Sequence, residues 1–217
     1  MGIVSSFLDI FFPPKCIFCG KIVPSKGERI CPRCKSALPY TGSHPSQKGH
    51  FFSLCVAPLY YEDEVRESLI RYKFGGAPGY GRTYGTMMAE CISKELEGRW
   101  DILSWVPLSA RRYKERGYDQ AKILAEAVGA ELGAKPISCL KKVKHIPKQA
   151  TMGSPEKRRA NISGAYIVIN REAVEGKRIL LIDDIITSGS TLGECARMLR
   201  SAGAAEVICA AVARSRD

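Results

Sequence analysis

Between residues 178 and 203 the chain reads RILLIDDIITSGSTLGECARMLRSAG, and this stretch constrains the fold more than any other. Residues 179–182 are apolar at every position, the pattern of a strand covered on both faces, which belongs to a parallel sheet with helices above and below. Asp183 and Asp184 then fall at the strand's carboxyl end, the edge where open parallel sheets bind ligands. A side-chain period of two sends the carboxylates to opposite sides. That suits a ligand with two neighbouring hydroxyls, or a bound Mg2+, better than a proton-sharing pair.

The turn that follows, Thr187, Ser188, Gly189, Ser190 and Thr191, feeds a helix whose first unpaired N–H groups and positive dipole end make an anion site. Gly189 allows close backbone approach or a positive φ, and the surrounding hydroxyls are donors for a small tetrahedral anion. Acids for a diol beside a cup for a phosphate describe a pocket for a ribose 5-phosphate. The plain alternative is a pair of solvated aspartates before an ordinary helix cap; the consecutive order of the two halves favours the pocket.

The remaining chain alternates in the same manner. FFSLCVAPLYY, DILSWVPL, SCLKKV, AYIVI, RILLIDD and EVICAAVA read as strands. EDEVRESLIRYKF, with Val65, Leu69 and Ile70 on one face, reads as a helix, as do RTYGTMMAECISKELE, DQAKILAEAVGAEL, with Ile123, Leu124, Ala127 and Val128 inward, and residues 191–201. Such alternation predicts an α/β domain with a mainly parallel sheet flanked by helices. Residues 1–50 differ in texture, rich in Pro, Lys, Ser and Gly and ending in the turn-forming LPYTGSHPSQKGH, so the expected division is a small module with its linker over 1–50 and the α/β domain over 51–217. A chain of 217 residues with 45% hydrophobic content has room for one such core and an appendage.

Cys16-x2-Cys19 and Cys31-x2-Cys34, with eleven residues between the pairs, have the spacing of a structural Zn2+ site of four thiolates. His44 and His50 are read as surface residues, and Cys55, Cys91, Cys139, Cys195 and Cys209, all in apolar stretches, as core thiols. In MGIVSSFLDIFFPP, Asp9 breaks the apolar run and neither a basic n-region nor a cleavage site is present, so no secretion signal is expected. No run approaches the ~20 apolar residues of a membrane span, although the opening residues leave room for peripheral membrane association and fit a loose N-myristoylation pattern at Gly2 and Ser6. Nine cysteines without a signal point to a reducing compartment, the cytoplasm.

A formal net charge of +11 favours polyanionic partners, from nucleotide to nucleic acid to membrane headgroup. Residues 141–161 carry seven Lys or Arg against the single acid Glu156 and read as a functional loop, mobile in the free protein.

LLIDDIITSGST resembles the phosphoribosyl pyrophosphate (PRPP) motif of type I phosphoribosyltransferases. CIFCG…CPRC, WVPLSARRYKERGYDQAKILA, KQATMGSPEKRRANISGAY and that loop follow the order found in the ComF family of competence proteins, which join a zinc-finger-like N-terminus to a phosphoribosyltransferase-like domain. The resemblance implies that Asp183 and Asp184 hold the ribose 2- and 3-hydroxyls, that Thr187, Ser188, Gly189, Ser190 and Thr191 hold the 5-phosphate, and that Pro107, Leu108 and Ser109 lie where pyrophosphate is held with Mg2+. Arg112, Arg116 and the following GYDQ would lie near it, with Lys148, Arg158 and Arg159 as candidates to cover it. Asp183, Asp184, Arg116, Lys148 and Arg158 form the implied catalytic set. Tyr118 and Asp119 depart from the family's RGFNQ pattern; Asp119 either adds negative charge near the anion or caps the next helix. The family further implies transfer of a phosphoribosyl group to an unspecified acceptor, a role in natural transformation and DNA uptake, and single-stranded DNA and a competence helicase as partners.

The rival expectation is a non-enzymatic protein that handles single-stranded DNA with its zinc module and basic surface, since such grips combine cations with stacking aromatics. The segment for it is RYKFGGAPGYGRTYG, which interleaves Arg71, Lys73 and Arg82 with Tyr72, Phe74, Tyr80 and Tyr84.

Overall fold

The computed structural model describes residues 13–23, 29–144 and 161–216. The readings placed on Gly2, Ser6 and Asp9, and on Lys148, Arg158 and Arg159, lie outside these residues. The described elements run α1 (Pro32–Ala37), β1 (Ser46–Gln47), β2 (Leu54–Val56), β3 (Leu59–Tyr60), α2 (Asp63–Phe74), α3 (Tyr80–Leu96), β4 (Ile102–Trp105), α4 (Ala110–Arg116), α5 (Gln120–Leu132), β5 (Leu140–Lys142), β6 (Tyr166–Val168), α6 (Arg171–Val174), β7 (Arg178–Ile186), α7 (Ser190–Ser201) and β8 (Glu206–Arg214).

The main sheet has the order β1-β2-β8-β7-β4, with β3 pairing β8 further along the edge that β2 begins. Every pair is parallel except β1 on β2. Side-chain alternation splits the core in two. Leu180, Ile182, Ile208 and Ala210 pack with Leu69 and Tyr72 of α2, Tyr84, Met88 and Ile92 of α3, and Leu124 and Val128 of α5. Ile179, Leu181, Val207, Cys209 and Ala211 pack with Leu192, Cys195, Ala196 and Leu199 of α7 and Val174 of α6. The apolar run of β7 is thus covered on both faces, as its sequence requires. Helices α3 and α5 touch backbone to backbone: a Cβ placed on Gly85 would stand 2.3 Å from the Ala127 Cβ, so only glycine fits there.

Three expectations need correction. The buried stripe of α2 is Val65, Ser68, Leu69 and Tyr72, the i, i+3, i+4, i+7 set, which leaves Ile70 38% exposed. The segments SCLKKV and AYIVI stay out of the main sheet; β5 and β6 pair with each other in a separate antiparallel ribbon, Leu140 opposite Val168. Strand β7 also continues past the aspartates to Ile186, held by β8.

The cysteine segment is not an island. Cys16, Ile17, Phe18, Val23, Cys31, Cys34 and Leu38 belong to the same buried cluster as α2 and α3, and Phe18 meets Tyr84 edge-on with ring centroids 6.0 Å apart. Cys55, Cys139, Cys195 and Cys209 are buried, and Cys91 is partly so. Among the described residues no helix is long and apolar enough to cross a membrane.

Candidate functional site

Strand β4 accompanies β7 only as far as Trp105, which registers with Ile182, whereas β8 pairs with β7 out to Ile186. Past Ile182 the β4 side of the strand therefore opens, and Asp183 and Asp184 stand at the opening. Asp183 continues the odd-numbered face toward α7, and Asp184 the even-numbered face toward α2. Asp183 Oδ1 accepts the Asp184 backbone N–H at 2.8 Å, and Asp184 Oδ1 lies 3.0 Å from Lys73 Nζ in the last turn of α2. Both acids line a hollow of about 180 Å3 together with the cationic Lys73, Arg112, Arg116 and Lys142. Burial first, and then the charge of Asp184, raises the Asp183 carboxyl above the usual carboxylate range, while Lys73 and Lys142 oppose the shift.

Asp183 also lines an adjoining hollow of about 350 Å3 formed by Thr187, Ser188, Gly189, Ser190 and Thr191 with Ile162 and Leu192. Gly189 adopts φ 67° and ψ 5°, a left-handed turn that a side chain would strain, and it leads directly into α7. At α4, α5 and α6 a side chain of Ser109, Asp119 or Asn170 accepts a first-turn N–H. At α7, as at α2 and α3, no side chain among the described residues does so, and the Ser188 and Ser190 hydroxyls bond each other at 2.9 Å. A helix start without a side-chain cap has first-turn donors that an external anion can take.

On the far side of the acids the predicted pyrophosphate residues divide. Pro107, Leu108, Arg112 and Arg116 line the cationic hollow. Ser109 does not: it is 6% exposed and caps α4 by accepting the Arg112 N–H at 3.4 Å. Asp119 caps α5, taking the Lys122 N–H on Oδ1 and, eleven residues back, the Leu108 N–H on Oδ2, each at 3.1 Å. The Leu108 amide is thereby committed within the protein. Arg116 stacks over the Phe74 ring at 4.6 Å.

Three further lining residues were not singled out by the sequence, although Gln120 falls in the GYDQ expected near pyrophosphate and Lys142 in the basic segment. Lys73 was legible only as part of a nucleic-acid stretch. Lys142, on β5, donates to the Tyr166 hydroxyl of β6 at 2.9 Å, and burial, then Arg112, pulls its pKa down. Gln120 lies at the start of α5, 1% exposed, and among the described residues its Nε2 has no hydrogen-bond partner. Lys142 and Ile162, which flank the undescribed residues 145–160, line the two adjoining hollows, so both ends of the basic segment reach the site. The proposed stacking platform fares worse: Tyr72 and Tyr84 are fully buried, Tyr72 donating to the Gln120 carbonyl at 2.9 Å.

The four cysteines of the paired motifs converge. Their Sγ atoms all lie within 4.8 Å of one another, with Cys19 and Cys31 at 3.7 Å. Sulfurs about 2.3 Å from a tetrahedral Zn2+ stand about 3.8 Å apart, so the set fits that ion. At Cys16 burial opposes the thiolate, but N–H groups of Cys19, Cys31 and Phe18 outweigh it and bring the thiol down to about 7. Cys34 is pushed up, by burial first and then by its sulfur neighbours. His44 and His50 are exposed and stand outside the cluster.

Comparison with known proteins agrees with both halves. The phosphoribosyl transferase domain family matches residues 114–217, and the double zinc ribbon domain family matches residues 7–52. Competence protein ComFC of Streptococcus pneumoniae is 28% identical over 197 residues, covering 88% of this chain and 84% of that protein. ComFC of Bacillus subtilis is 31% identical over 149 residues, 67% of this chain and 57% of that protein. Competence protein F of Haemophilus influenzae is 26% identical over 220 residues, 91% of this chain and 95% of that protein.

Proposed function

We propose, from the premise that this chain belongs to the ComF family of competence proteins, that it binds PRPP with Mg2+ and transfers the phosphoribosyl group to an acceptor nucleophile. The observation that carries this reading is the pair of adjoining hollows sharing Asp183, one ending at an uncapped helix start and the other lined by four cations. Asp183 and Asp184 accept the ribose hydroxyls. The amides and hydroxyls from Thr187 to Thr191 hold the 5-phosphate, and the buried Nε2 of Gln120 donates to a ligand oxygen. Arg112, Arg116 and Lys142 stabilise the negative charge that grows on pyrophosphate as its bond to C1 breaks and the nucleophile's bond forms. The acidic oxygens of Asp183 and Asp184 are suited to Mg2+, which when bound would neutralise part of the leaving charge. Lys148 and Arg158 are retained in the proposal as further cations for pyrophosphate.

The relatives named as competence proteins suggest natural transformation as the setting, with the cytoplasm as location and incoming single-stranded DNA and a helicase as partners. Any DNA contact must use groups other than the buried Tyr72 and Tyr84. The test is a thermal melt with PRPP and Mg2+. Ligand at about a hundred times its dissociation constant should add ~2.7 kcal/mol, and Asp183→Asn with Asp184→Asn should abolish the gain. No shift in the unsubstituted protein rejects the reading.

A further inference from the structure

Helix α2 touches both the cysteine cluster and the aspartates. On its buried face the Ser68 hydroxyl donates to the Ile17 carbonyl, and Arg71 Nη2 donates to the carbonyls of Ile17 at 3.0 Å and Phe18 at 2.5 Å. Those carbonyls belong to the turn between Cys16 and Cys19, which closes on itself through Gly20 N–H to Cys16 O at 2.9 Å. Further along the same helix, Lys73 reaches Asp184, and the paired side chains are only 21% and 13% exposed. Two carboxylates on adjacent, partly buried residues repel each other, and a cation held against Asp184 eases that repulsion.

We infer that Lys73 is a positioning residue of the PRPP site, and that the Cys16–Cys19 knuckle, by seating the helix that carries Lys73, makes PRPP affinity depend on zinc. The inference rests on the PRPP reading proposed above. A knuckle organised by zinc presents its carbonyls to Ser68 and Arg71. Without the ion the knuckle loses its shape, the last turn of α2 loses its anchor, and Lys73 loses its position over Asp184. Linkage requires the reverse effect as well: PRPP must tighten zinc retention by the same factor.

The experiment is a calorimetric titration of PRPP with excess Mg2+ into the full chain, zinc-loaded and after zinc has been stripped and the chelator dialysed away. Zinc removal should weaken PRPP on the order of tenfold, within the usual range of coupling between sites, and zinc return should restore it. Lys73→Met should weaken binding in the zinc-loaded protein and erase the zinc effect, because the two changes break one path, whereas Lys73→Arg should recover most of the affinity. Because the stripped chain can unfold, Ser68→Ala with Arg71→Gln is tested beside it with its zinc content measured; it should retain zinc yet bind PRPP like Lys73→Met. Absence of PRPP binding by the zinc-loaded parent rejects the proposed function. Binding indifferent to zinc, an equal zinc effect in Lys73→Met, or normal affinity in the zinc-retaining double variant overturns this inference alone.

Discussion

Asp119 Oδ2 accepts the backbone N–H of Leu108 at 3.1 Å, tying the loop after β4 to the start of α5. One carboxylate thereby closes a loop and caps a helix, and burial raises its pKa in spite of those donated bonds. Asp119→Ala should cost about 1–2 kcal/mol, the usual loss for an N-cap, and should loosen the loop carrying Pro107 and Leu108. Asp119→Asn removes a negative charge beside the cationic hollow but keeps one acceptor oxygen, so its NH2 faces either the Leu108 or the Lys122 N–H and one of the two bonds is lost. It should therefore fall between the parent and Asp119→Ala in stability, and bind PRPP more tightly than Asp119→Ala, which loses both bonds. Melts and PRPP titrations of the two variants check both halves; PRPP binding by Asp119→Asn no tighter than by Asp119→Ala would mean that neither bond positions the loop for the ligand.

Asp183 yields a pH dependence with opposite signs in two measurements. Its pKa in the folded chain is raised, so between the ordinary carboxylate range and that raised value the folded state holds a proton that the unfolded state has lost. Its contribution makes the ligand-free protein less stable as pH rises through that window. Acceptance of a ribose hydroxyl needs the carboxylate, so PRPP affinity should rise over the same interval. Asp183→Asn should stabilise the free protein near neutrality, flatten its stability there, and lose the ligand. Stability and affinity that move together with pH would contradict this assignment.

How much of the site was legible depended on how local its chemistry is. The strand, the acids, the hydroxyl turn and helix α7 are consecutive, so polarity and period alone placed them. The cysteines were legible because metal spacing is itself a local pattern. Lys73 and Lys142 were not, since each reaches the acids across the fold from α2 or β5, and nothing in EDEVRESLIRYKF or SCLKKV marks a lysine that will point inward. Ser109 sits in the turn the sequence marks, and its hydroxyl caps α4 by accepting the Arg112 N–H. The β5–β6 ribbon was mistaken for sheet strands because three-residue strands carry too little pattern to declare their partners.

The match to a double zinc ribbon spans residues 7–52, yet that interval holds only the cysteines at 16, 19, 31 and 34, enough thiolates for a single tetrahedral site. Elemental analysis should therefore find one zinc per chain, and a value near two would refute the assignment. Cys16→Ser should lose the metal. It should also destabilise the α/β domain by several kcal/mol, beyond the loss of a separate appendage, because Ile17 and Phe18 lie fully inside the core shared with α2 and α3. Unfolding followed at Trp105 of β4 and by zinc release should give one transition rather than two.

Gln120 provides a test in which stability and binding part company. Its Nε2 is buried against the cationic hollow without a partner among the described residues, and an unmade hydrogen bond of this kind costs about 1–3 kcal/mol in the free protein. Met has nearly the same length, suits a helix and has no donor to satisfy, so Gln120→Met should raise the melting temperature in the absence of ligand. In the complex the lost bond is one to a charged oxygen, about 1.5–3 kcal/mol, so PRPP affinity should fall roughly tenfold to a hundredfold. A residue that merely fills space would change both quantities in the same direction or leave binding alone. Loss of stability in Gln120→Met without loss of affinity would show that Nε2 serves the fold and not the ligand.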